Sequence, residues 1–379
     1  MLPLSLYIHI PWCIQKCPYC DFNSHKSPSQ RPEQDYIAAL IRDLDAELQQ
    51  RPQHQEISSI FIGGGTPSLF AAERYDELFQ ALKQRLHFKP NLEITLEANP
   101  GAIDQSRFLA YRQIGINRLS IGVQSFHGKH LQALGRIHDE KQAHVAIEAA
   151  RHAGFDNINI DLMHGLPHQT VEEGLLDLHT AIAYQPEHLS WYQLTIEPNT
   201  IFHKTKPELP AEETAEQLET QGLELLAAAA FNRYEISAFS KHQKMSQHNL
   251  NYWLFGDYYG IGAGAHGKWT NANYHISRTR KPRQPKDYMK TPGPDTQVNQ
   301  LSIADCILEF MLNTTRLEQP ISRKLFKKTT GLSEDILMPS LTKAANQGLL
   351  HLTPTHWQVT PFGRRFTNNL QELFLPEEA

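Results

Sequence analysis

Residues 13–20 read Cys13-Ile-Gln-Lys-Cys17-Pro-Tyr-Cys20, and this stretch guides the interpretation of the whole chain. Gaps of three and two residues let one short loop bring three thiolates around a single compact inorganic centre. A structural zinc site would need a fourth Cys or His ligand, which the nearby His25 can supply. Three thiolates on a four-iron cluster would instead leave one iron open to a substrate or cofactor. The spacing favours the iron–sulfur cluster and leaves zinc as the alternative.

The cysteine content also indicates the compartment. The chain has 379 residues and four cysteines, of which three lie in the loop, so a disulfide framework is not expected. The fourth, Cys306, lies in an apolar helix-like run and is predicted to be a buried core residue. There is no apolar run of membrane-spanning length, and no basic segment precedes the apolar start. We therefore expect a cytoplasmic protein in a reducing compartment.

Short β-type runs alternate with amphipathic helical runs over the first part of the chain. The predicted strands are residues 4–10, 57–62, 92–98, 117–123, 157–163 and 188–194. The predicted helices are residues 35–50, 74–86, 104–113, 141–152, 171–183 and 211–231. This order predicts an α/β fold with a parallel sheet and crossover helices, in the form of a partial (β/α)6 barrel.

Chemistry-bearing residues fall at the carboxyl ends of these predicted strands. The cysteine loop follows the first strand, and Gly63-Gly64-Gly65-Thr66-Pro67 follows the second. Glu97, Gln124 and Asp161 lie at the next three strand ends. Active sites of parallel barrels are assembled at that rim, so we expect one mouth to collect all of these residues.

The last third of the chain has a different pattern. We predict a barrel domain over 1–270, a linker over 271–300 that is rich in Pro, Lys and Arg, and a small α+β domain over 301–379. Three helical runs followed by a hairpin near Trp357 resemble a winged helix. Residues 321–367 contain seven Lys or Arg against two Asp or Glu, which permits a nucleic-acid interpretation without establishing it. With a net charge of −5, we expect no nucleic-acid partner.

The Cys-x3-Cys-x2-Cys loop after the first predicted strand resembles that of the radical S-adenosylmethionine (SAM) superfamily, and the resemblance covers nearly the whole chain. In that superfamily the open iron of a [4Fe–4S] cluster takes the amino and carboxylate groups of SAM, whose sulfonium bond is broken by an electron from the cluster. The resemblance implies that Cys13, Cys17 and Cys20 ligate such a cluster.

Narrower motifs resemble the oxygen-independent coproporphyrinogen III oxidase group. They read Tyr7-Ile-His-Ile-Pro-Trp-Cys, Gly-Gly-Gly-Thr-Pro-Ser, Glu-Ala-Asn-Pro and Gly-Val-Gln-Ser-Phe. The resemblance implies SAM contacts along the rim, where glycine permits close backbone approach, Arg136 suits a carboxylate and Asp161 suits ribose hydroxyls. The implied contacts are Tyr7, Gly64, Gly65, Thr66, Glu97, Gln124, Arg136, Asp161 and Thr195. The glycine-rich run Gly260–Gly267 is interpreted as a further approach to this pocket through His266, with a simple turn as the alternative.

Two differences separate this chain from the oxidase proper, which carries a further cysteine after the cluster motif and a longer N-terminal arm. Here Asp21 and Phe22 follow the cluster motif, and six residues precede Tyr7. Together with the later His248-Asn-Leu-Asn-Tyr252-Trp253, these features resemble the HemW family of haem chaperones, which bind haem and deliver it to membrane respiratory enzymes.

The HemW resemblance implies His248 as the haem ligand. Neutral imidazole is a good axial ligand for haem iron, and the neighbouring Tyr252 and Trp253 can cover a porphyrin face. From the residues alone, a packed or capping histidine is the alternative.

The sequence therefore predicts a haem chaperone that carries a [4Fe–4S] cluster and SAM and transfers haem to respiratory haem proteins. The alternative is an oxygen-independent coproporphyrinogen III dehydrogenase, which forms protoporphyrinogen IX by radical oxidative decarboxylation. Whether the protein is an enzyme, whether SAM is cleaved or only bound, and the oligomeric state are not indicated. The basic stretch 278–290 is compatible with a transient membrane visit.

Overall fold

A twelve-stranded sheet is the frame of this computed structural model, which describes residues 3–52, 55–290 and 295–376. The strands are β1 (Leu4–Ile10), β2 (Trp12–Cys13), β3 (His25–Lys26), β4 (Ile57–Gly64), β5 (Phe88–Ala98), β6 (Arg118–Gln124), β7 (Ile158–His164), β8 (His188–Gln193), β9 (Asn232–Glu235), β10 (Ala238–Ser240), β11 (Asp257–Ile261), β12 (His266–Thr270), β13 (Ile276–Arg280), β14 (Gln297–Gln300), β15 (Ile321–Ser322), β16 (Leu350–Leu352) and β17 (His356–Val359).

Helices connect the strands and cover the outer face of the sheet. They are α1 (Glu33–Gln50), α2 (Ala72–Lys83), α3 (Gln105–Gln113), α4 (Gly128–Ala133), α5 (Glu140–His152), α6 (Val171–Ala183), α7 (Ile201–Thr205), α8 (Glu212–Ala228), α9 (Gln247–Trp253), α10 (Pro285–Tyr288), α11 (Ile303–Thr314), α12 (Arg323–Thr330), α13 (Met338–Asn346), α14 (Pro361–Arg365) and α15 (Thr367–Glu372). Short 3₁₀ turns occupy Pro67–Leu69, Pro100–Ala102 and Glu334–Leu337.

The predicted partial (β/α)6 architecture is confirmed. The strand order is β14-β13-β12-β11-β1-β4-β5-β6-β7-β8-β10-β9, and β1 to β8 of this order are parallel neighbours separated in the chain by helices. β11 joins β1 in parallel on the other side. The order ends at β14 and β9, so the sheet is an open barrel in the part of the chain that the structure describes.

Burial on both faces explains why β1 is central in the sheet. The apolar side chains of Leu4, Leu6, Ile8 and Ile10 leave one face and are nearly inaccessible to solvent, and the polar Ser5 and His9 on the other face are buried as well. Local signals also fix the helix starts. Asp139 and Thr170 each form a capping box at the start of α5 and α6, which satisfies amides that lack a partner in the helix.

The C-terminal region forms the predicted winged-helix-like unit. Its strands are ordered β15-β17-β16 beside α11, α12 and α13. Its core contains Phe310, Phe326, Trp357 and, as predicted, the buried Cys306. Phe255, just after α9, packs edge-on against Phe310 at a ring-centroid distance of 5.8 Å, so this core continues onto the barrel side.

The stretch 271–300 differs from the predicted linker. It contains β13 and β14, which extend the main sheet, while 291–294 lie outside the described residues. Arg278 pairs with Glu309 at 2.5 Å and Lys281 pairs with Asp43 at 2.5 Å, whereas Arg280 and Arg283 have no carboxylate partner among the described residues. Composition alone therefore hid two strands of the main sheet.

The described helices include none that is both long and apolar enough to cross a lipid bilayer.

A buried ion cluster fixes the bend that leads into β12. Lys281 Nζ donates to Asp43 and Glu47, both at 2.5 Å, and its side chain is 1% exposed. Tyr288 donates a hydrogen bond to Asp43 at 2.8 Å, and the backbone amide of Gly262 donates to the hydroxyl of Tyr288 at 3.0 Å. The cluster thus holds α1, α10 and the β11–β12 turn together.

Replacing Lys281 with Met should destabilise the fold strongly, because the buried carboxylate of Asp43 would lose its cation, whereas Glu47 would keep Arg51 as a partner. Breaking a buried pair in this way costs about 3–5 kcal/mol of unfolding free energy. Denaturant unfolding followed by circular dichroism measures the loss. The matched control is Lys290→Met, which removes an exposed pair with Asp287 and should cost at most about 1 kcal/mol. Equal losses in both variants would contradict the assignment.

Candidate functional site

The carboxyl ends of the parallel strands surround a cavity of about 400 Å³. Ten of the sequence-predicted site residues line it: Cys13, Cys17, Cys20, Gly64, Gly65, Thr66, Glu97, Gln124, Arg136 and Asp161. We call this the cluster cavity. The predicted convergence on one mouth is therefore found in the structure, although the role of each residue stays a prediction.

Backbone pairing holds the cysteine loop in place. β2 and β3 pair across the loop, and the amide of Ser27 donates to the carbonyl of Cys13 at 2.8 Å. A tight turn follows, in which the amide of Cys20 donates to the carbonyl of Cys17 at 3.1 Å. All three thiols are half-buried and face the cavity. The loop is thus fixed at both ends before any ligand binds.

Burial is the main cause of a raised pKa at Cys13 and at Cys20. Arg136 lies beside the loop, with its Nη1 3.6 Å from the sulfur of Cys17. Its guanidinium therefore places a positive charge next to the three thiols.

The glycine loop approaches the cysteine loop so closely that side chains would not fit. Gly64 has φ +114°, and a Cβ there would lie 2.5 Å from the ring of His9. At Gly65 a Cβ would lie 2.6 Å from the carbonyl oxygen of Trp12. These contacts explain why glycine is required at both positions.

Two carboxylates face the cavity from β5 and β7, the strands on either side of β6. Glu97 accepts a hydrogen bond from the amide of Gly64 at 3.0 Å, and Asp161 accepts from Ser120 at 2.9 Å and from Asn159 at 2.8 Å. Burial, followed by the nearby charge of Asp161, raises the pKa of Glu97 to about 7. Burial also raises the pKa of Asp161. A cationic ligand group would favour the ionised form of both carboxylates.

Gln124 and Arg136 complete the wall in constrained conformations. Gln124 has φ 70°, which is unusual outside glycine, and its side-chain oxygen accepts from the hydroxyl of Tyr192 at 2.9 Å. Arg136 donates to the carbonyl of Gly122 at 2.7 Å, while its buried Nε has no hydrogen-bond partner among the described residues. Strain and an unpaired buried donor are typical of ligand sites.

A second cavity of about 540 Å³ adjoins the first, and we call it the tyrosine cavity. Phe22, Gly64 and Glu97 line both cavities. Of the predicted site residues, Tyr7 and His266 line this second cavity and not the cluster cavity. Tyr258, Arg280 and Arg283 also line this cavity, although no sequence motif indicates them.

Residues 248–253, which the sequence predicts to bind haem, lie between the two cavities. In α9, Asn249 and Trp253 line the cluster cavity, whereas Tyr252 lines the tyrosine cavity. His248 is 1% exposed and lines neither of these cavities. Its Nδ1 is hydrogen-bonded to Ser59 at 3.1 Å and its Nε2 to Tyr252 at 2.8 Å. Burial lowers its pKa to about 3, so the ring is neutral.

Thr195 is the other predicted contact that the structure does not bring to the site. It follows β8, is exposed, and lines neither cavity. Tyr192 on β8 reaches the cluster cavity instead, through its bond to Gln124. Ser190 and Tyr192 are two residues apart on β8 and therefore face the same side, and both line the cluster cavity.

Two family models and a curated relative match this chain in sequence. Residues 7–179 match the family model of the Radical SAM superfamily, and residues 301–366 match that of the HemN C-terminal domain. The curated heme chaperone HemW of Haemophilus influenzae is 48% identical over 379 residues, which cover 99% of both chains. This chain belongs to the HemW family.

A more distant HemW protein supports this assignment, and one solved structure shares the fold. HemW of Bacillus subtilis is 34% identical over 98% of this chain and 99% of the relative. The solved structure of HemN, the coproporphyrinogen III oxidase of Escherichia coli, is a radical SAM enzyme with a TM-score of 0.81, covering 98% of this chain and 90% of its own. Its sequence identity is 22%, so this likeness shows the fold alone.

Membership of the radical SAM superfamily implies a [4Fe–4S] cluster and SAM, and it decides against the zinc alternative. The residues present fit both groups. Three thiols face one cavity beside a glycine loop on which a Cβ would clash, and an unpaired buried arginine nitrogen and two buried carboxylates lie in the same wall.

The pKa of Glu97 predicts a pH dependence of SAM binding. Below a pH of about 7 the carboxyl becomes neutral and would be a weaker hydrogen-bond acceptor for the iron-bound amino group of SAM, so SAM affinity should fall, by at most about tenfold per pH unit. Anaerobic calorimetric titration of the cluster-loaded protein measures this change. Glu97→Gln should bind weakly at every pH, and the exposed Glu172→Gln serves as the control. A pH dependence that survives in Glu97→Gln would place the titrating group elsewhere.

Proposed function

We propose that this protein is a haem chaperone that binds haem and transfers it to respiratory haem proteins. The observation that carries the proposal is the tyrosine cavity, a second ligand-sized space beside the cluster cavity in a chain related end to end to HemW proteins. Three tyrosines and two arginines line it, which suits a flat aromatic molecule with carboxylates.

The ligand sets of the cluster cavity are part of the same proposal. Cys13, Cys17 and Cys20 would hold the [4Fe–4S] cluster, and Glu97 would accept a hydrogen bond from the amino group of SAM. Asp161 would accept the ribose hydroxyls, and Arg136 would pair with a carboxylate. When bound, the cluster and SAM supply one-electron chemistry in this superfamily. The chain supplies the positions and the charges around them.

The place of action is also proposed. We infer a cytoplasmic protein, since three half-buried free thiols suit a reducing compartment. Transient membrane association stays a prediction. Within the basic stretch 278–290, Arg278, Lys281 and Lys290 each pair with a carboxylate, whereas the exposed Arg280 and Arg283 have no carboxylate partner among the described residues.

Haem binding and transfer test the proposal directly. Anaerobic titration of the cluster-loaded protein with haem, followed by absorbance, should give a saturable stoichiometric end point. The loaded protein should then convert an apo-cytochrome to its holo form, as measured by the spectrum of the product. Serum albumin loaded with haem is the control for passive release. Absence of saturable binding would contradict the proposal.

The same preparation tests the alternative, coproporphyrinogen III dehydrogenase. With SAM, a reductant and coproporphyrinogen III under anaerobic conditions, we expect no protoporphyrinogen IX, because Asp21 and Phe22 stand where the oxidase carries its further cysteine. Formation of protoporphyrinogen IX over several turnovers would replace the chaperone proposal with the radical decarboxylase.

A further inference from the structure

The tyrosine cavity is separate from the cysteines and has its own chemistry. Its volume of about 540 Å³ is within the usual range of small-molecule sites, about 300–1,000 Å³. None of the three cluster cysteines lines it, and only Phe22, Gly64 and Glu97 are shared with the cluster cavity. A ligand bound there would therefore lie away from the cysteines and would border the cluster cavity at Gly64 and Glu97.

Aromatic rings form one side of this cavity. Tyr252 and Tyr258 have ring centroids 4.5 Å apart, and Tyr7 lines the same space. Each phenol oxygen already has a hydrogen-bond partner: His9 for Tyr7 at 3.0 Å, His248 for Tyr252 at 2.8 Å and Arg278 for Tyr258 at 2.8 Å. What the tyrosines still offer a ligand is mainly ring surface.

His266 is the accessible imidazole of the cavity. It is exposed, and its ring has no hydrogen-bond partner among the described residues. As the first residue of β12 it pairs in register with Arg280 of β13, so both side chains leave the same face of the sheet. Partial burial, and then the charges of Arg280, Arg278 and Arg283, lower its pKa, which favours the neutral ring that ligates metals.

Two guanidinium groups lie beside this histidine. Arg280 and Arg283 are exposed and line the cavity, and neither has a carboxylate partner within the described part of the chain. The carboxyl side chains in the lining are Asp21 and Glu97, and the pKa of Glu97 is raised to about 7. Two unpaired guanidinium groups match a ligand that carries two carboxylates, as haem does.

His248 has the opposite properties. It is 1% exposed, and both ring nitrogens are engaged, by Ser59 and Tyr252. Coordination of iron through Nε2 would require breaking the bond to Tyr252 and moving that tyrosine out of the cavity wall. In this structure His248 instead fixes the position of Tyr252 through the hydrogen bond between its Nε2 and the tyrosine hydroxyl.

Resting on the proposed function of haem binding, we propose that haem occupies the tyrosine cavity, with His266 as its iron ligand and Arg280 and Arg283 as partners of its propionates. His248 is a positioning residue that acts through Tyr252. The sequence motif alone does not indicate His266 as the iron ligand.

Axial ligation distinguishes the two histidines. Cluster-loaded wild type, His266→Ala, His248→Ala and the exposed control His351→Ala are titrated with haem, and the ligand field of the bound ferric haem is read by electron paramagnetic resonance and by the Soret band. We expect His266→Ala to lose the histidine signature and about tenfold or more in affinity. Added imidazole should restore the signature in that variant. His248→Ala should keep the histidine signature at reduced affinity, and His351→Ala should match the wild type.

The propionate contacts have their own readout. Haem dimethyl ester should bind the wild type about tenfold more weakly than haem does, and Arg280→Gln/Arg283→Gln should abolish this difference. Unchanged ligation in His266→Ala, or loss of the histidine signature in a folded His248→Ala protein that still binds haem, would overturn the inference while leaving the chaperone function intact. Failure of the wild type to bind haem would instead remove the proposed function, and the inference with it.

Discussion

Parallel pairing that continues past the ends of two strands is the constraint on which the site depends. Beyond β1 and β4, the amide of Gly65 donates to the carbonyl of Ile10 at 2.7 Å, and the amide of Thr66 donates to the carbonyl of Trp12 at 2.8 Å. These two bonds press the glycine loop against the start of the cysteine loop, where any Cβ would clash. Thiols, glycine backbone and the carboxylate of Glu97 therefore share one wall by backbone geometry alone.

The other side of β1 brings in the tyrosine cavity. β11 pairs with β1 in parallel, and the turn after it returns the chain antiparallel as β12, which begins at His266. The buried cluster around Lys281 holds this turn through Tyr288. The cysteine loop thus follows the end of β1, with the cluster cavity on one side of this strand and the tyrosine cavity on the other. Helix α9 packs across the boundary between the two cavities.

Much of this arrangement could be predicted from sequence. The six parallel strands are rich in apolar residues, and residues at their carboxyl ends must meet in any parallel sheet, which is why ten of the predicted contacts line one cavity. β13 and β14 could not be predicted, because they contain few apolar residues: β13 reads Ile-Ser-Arg-Thr-Arg and β14 reads Gln-Val-Asn-Gln. Motif spacing likewise could not reveal that the ring of His248 is satisfied on both sides, since Ser59 lies on a distant strand.

Glu97 lies in the wall that the two cavities share, so its ionisation is linked to ligand binding in both. Its carboxyl has a pKa of about 7 and borders both cavities, so a charged ligand in either one changes its proton occupancy at neutral pH. Binding is then accompanied by proton release or uptake, and the observed heat depends on the ionisation enthalpy of the buffer. Because linkage is reciprocal, loading one cavity alters the affinity of the other through this single proton, with no movement of the backbone.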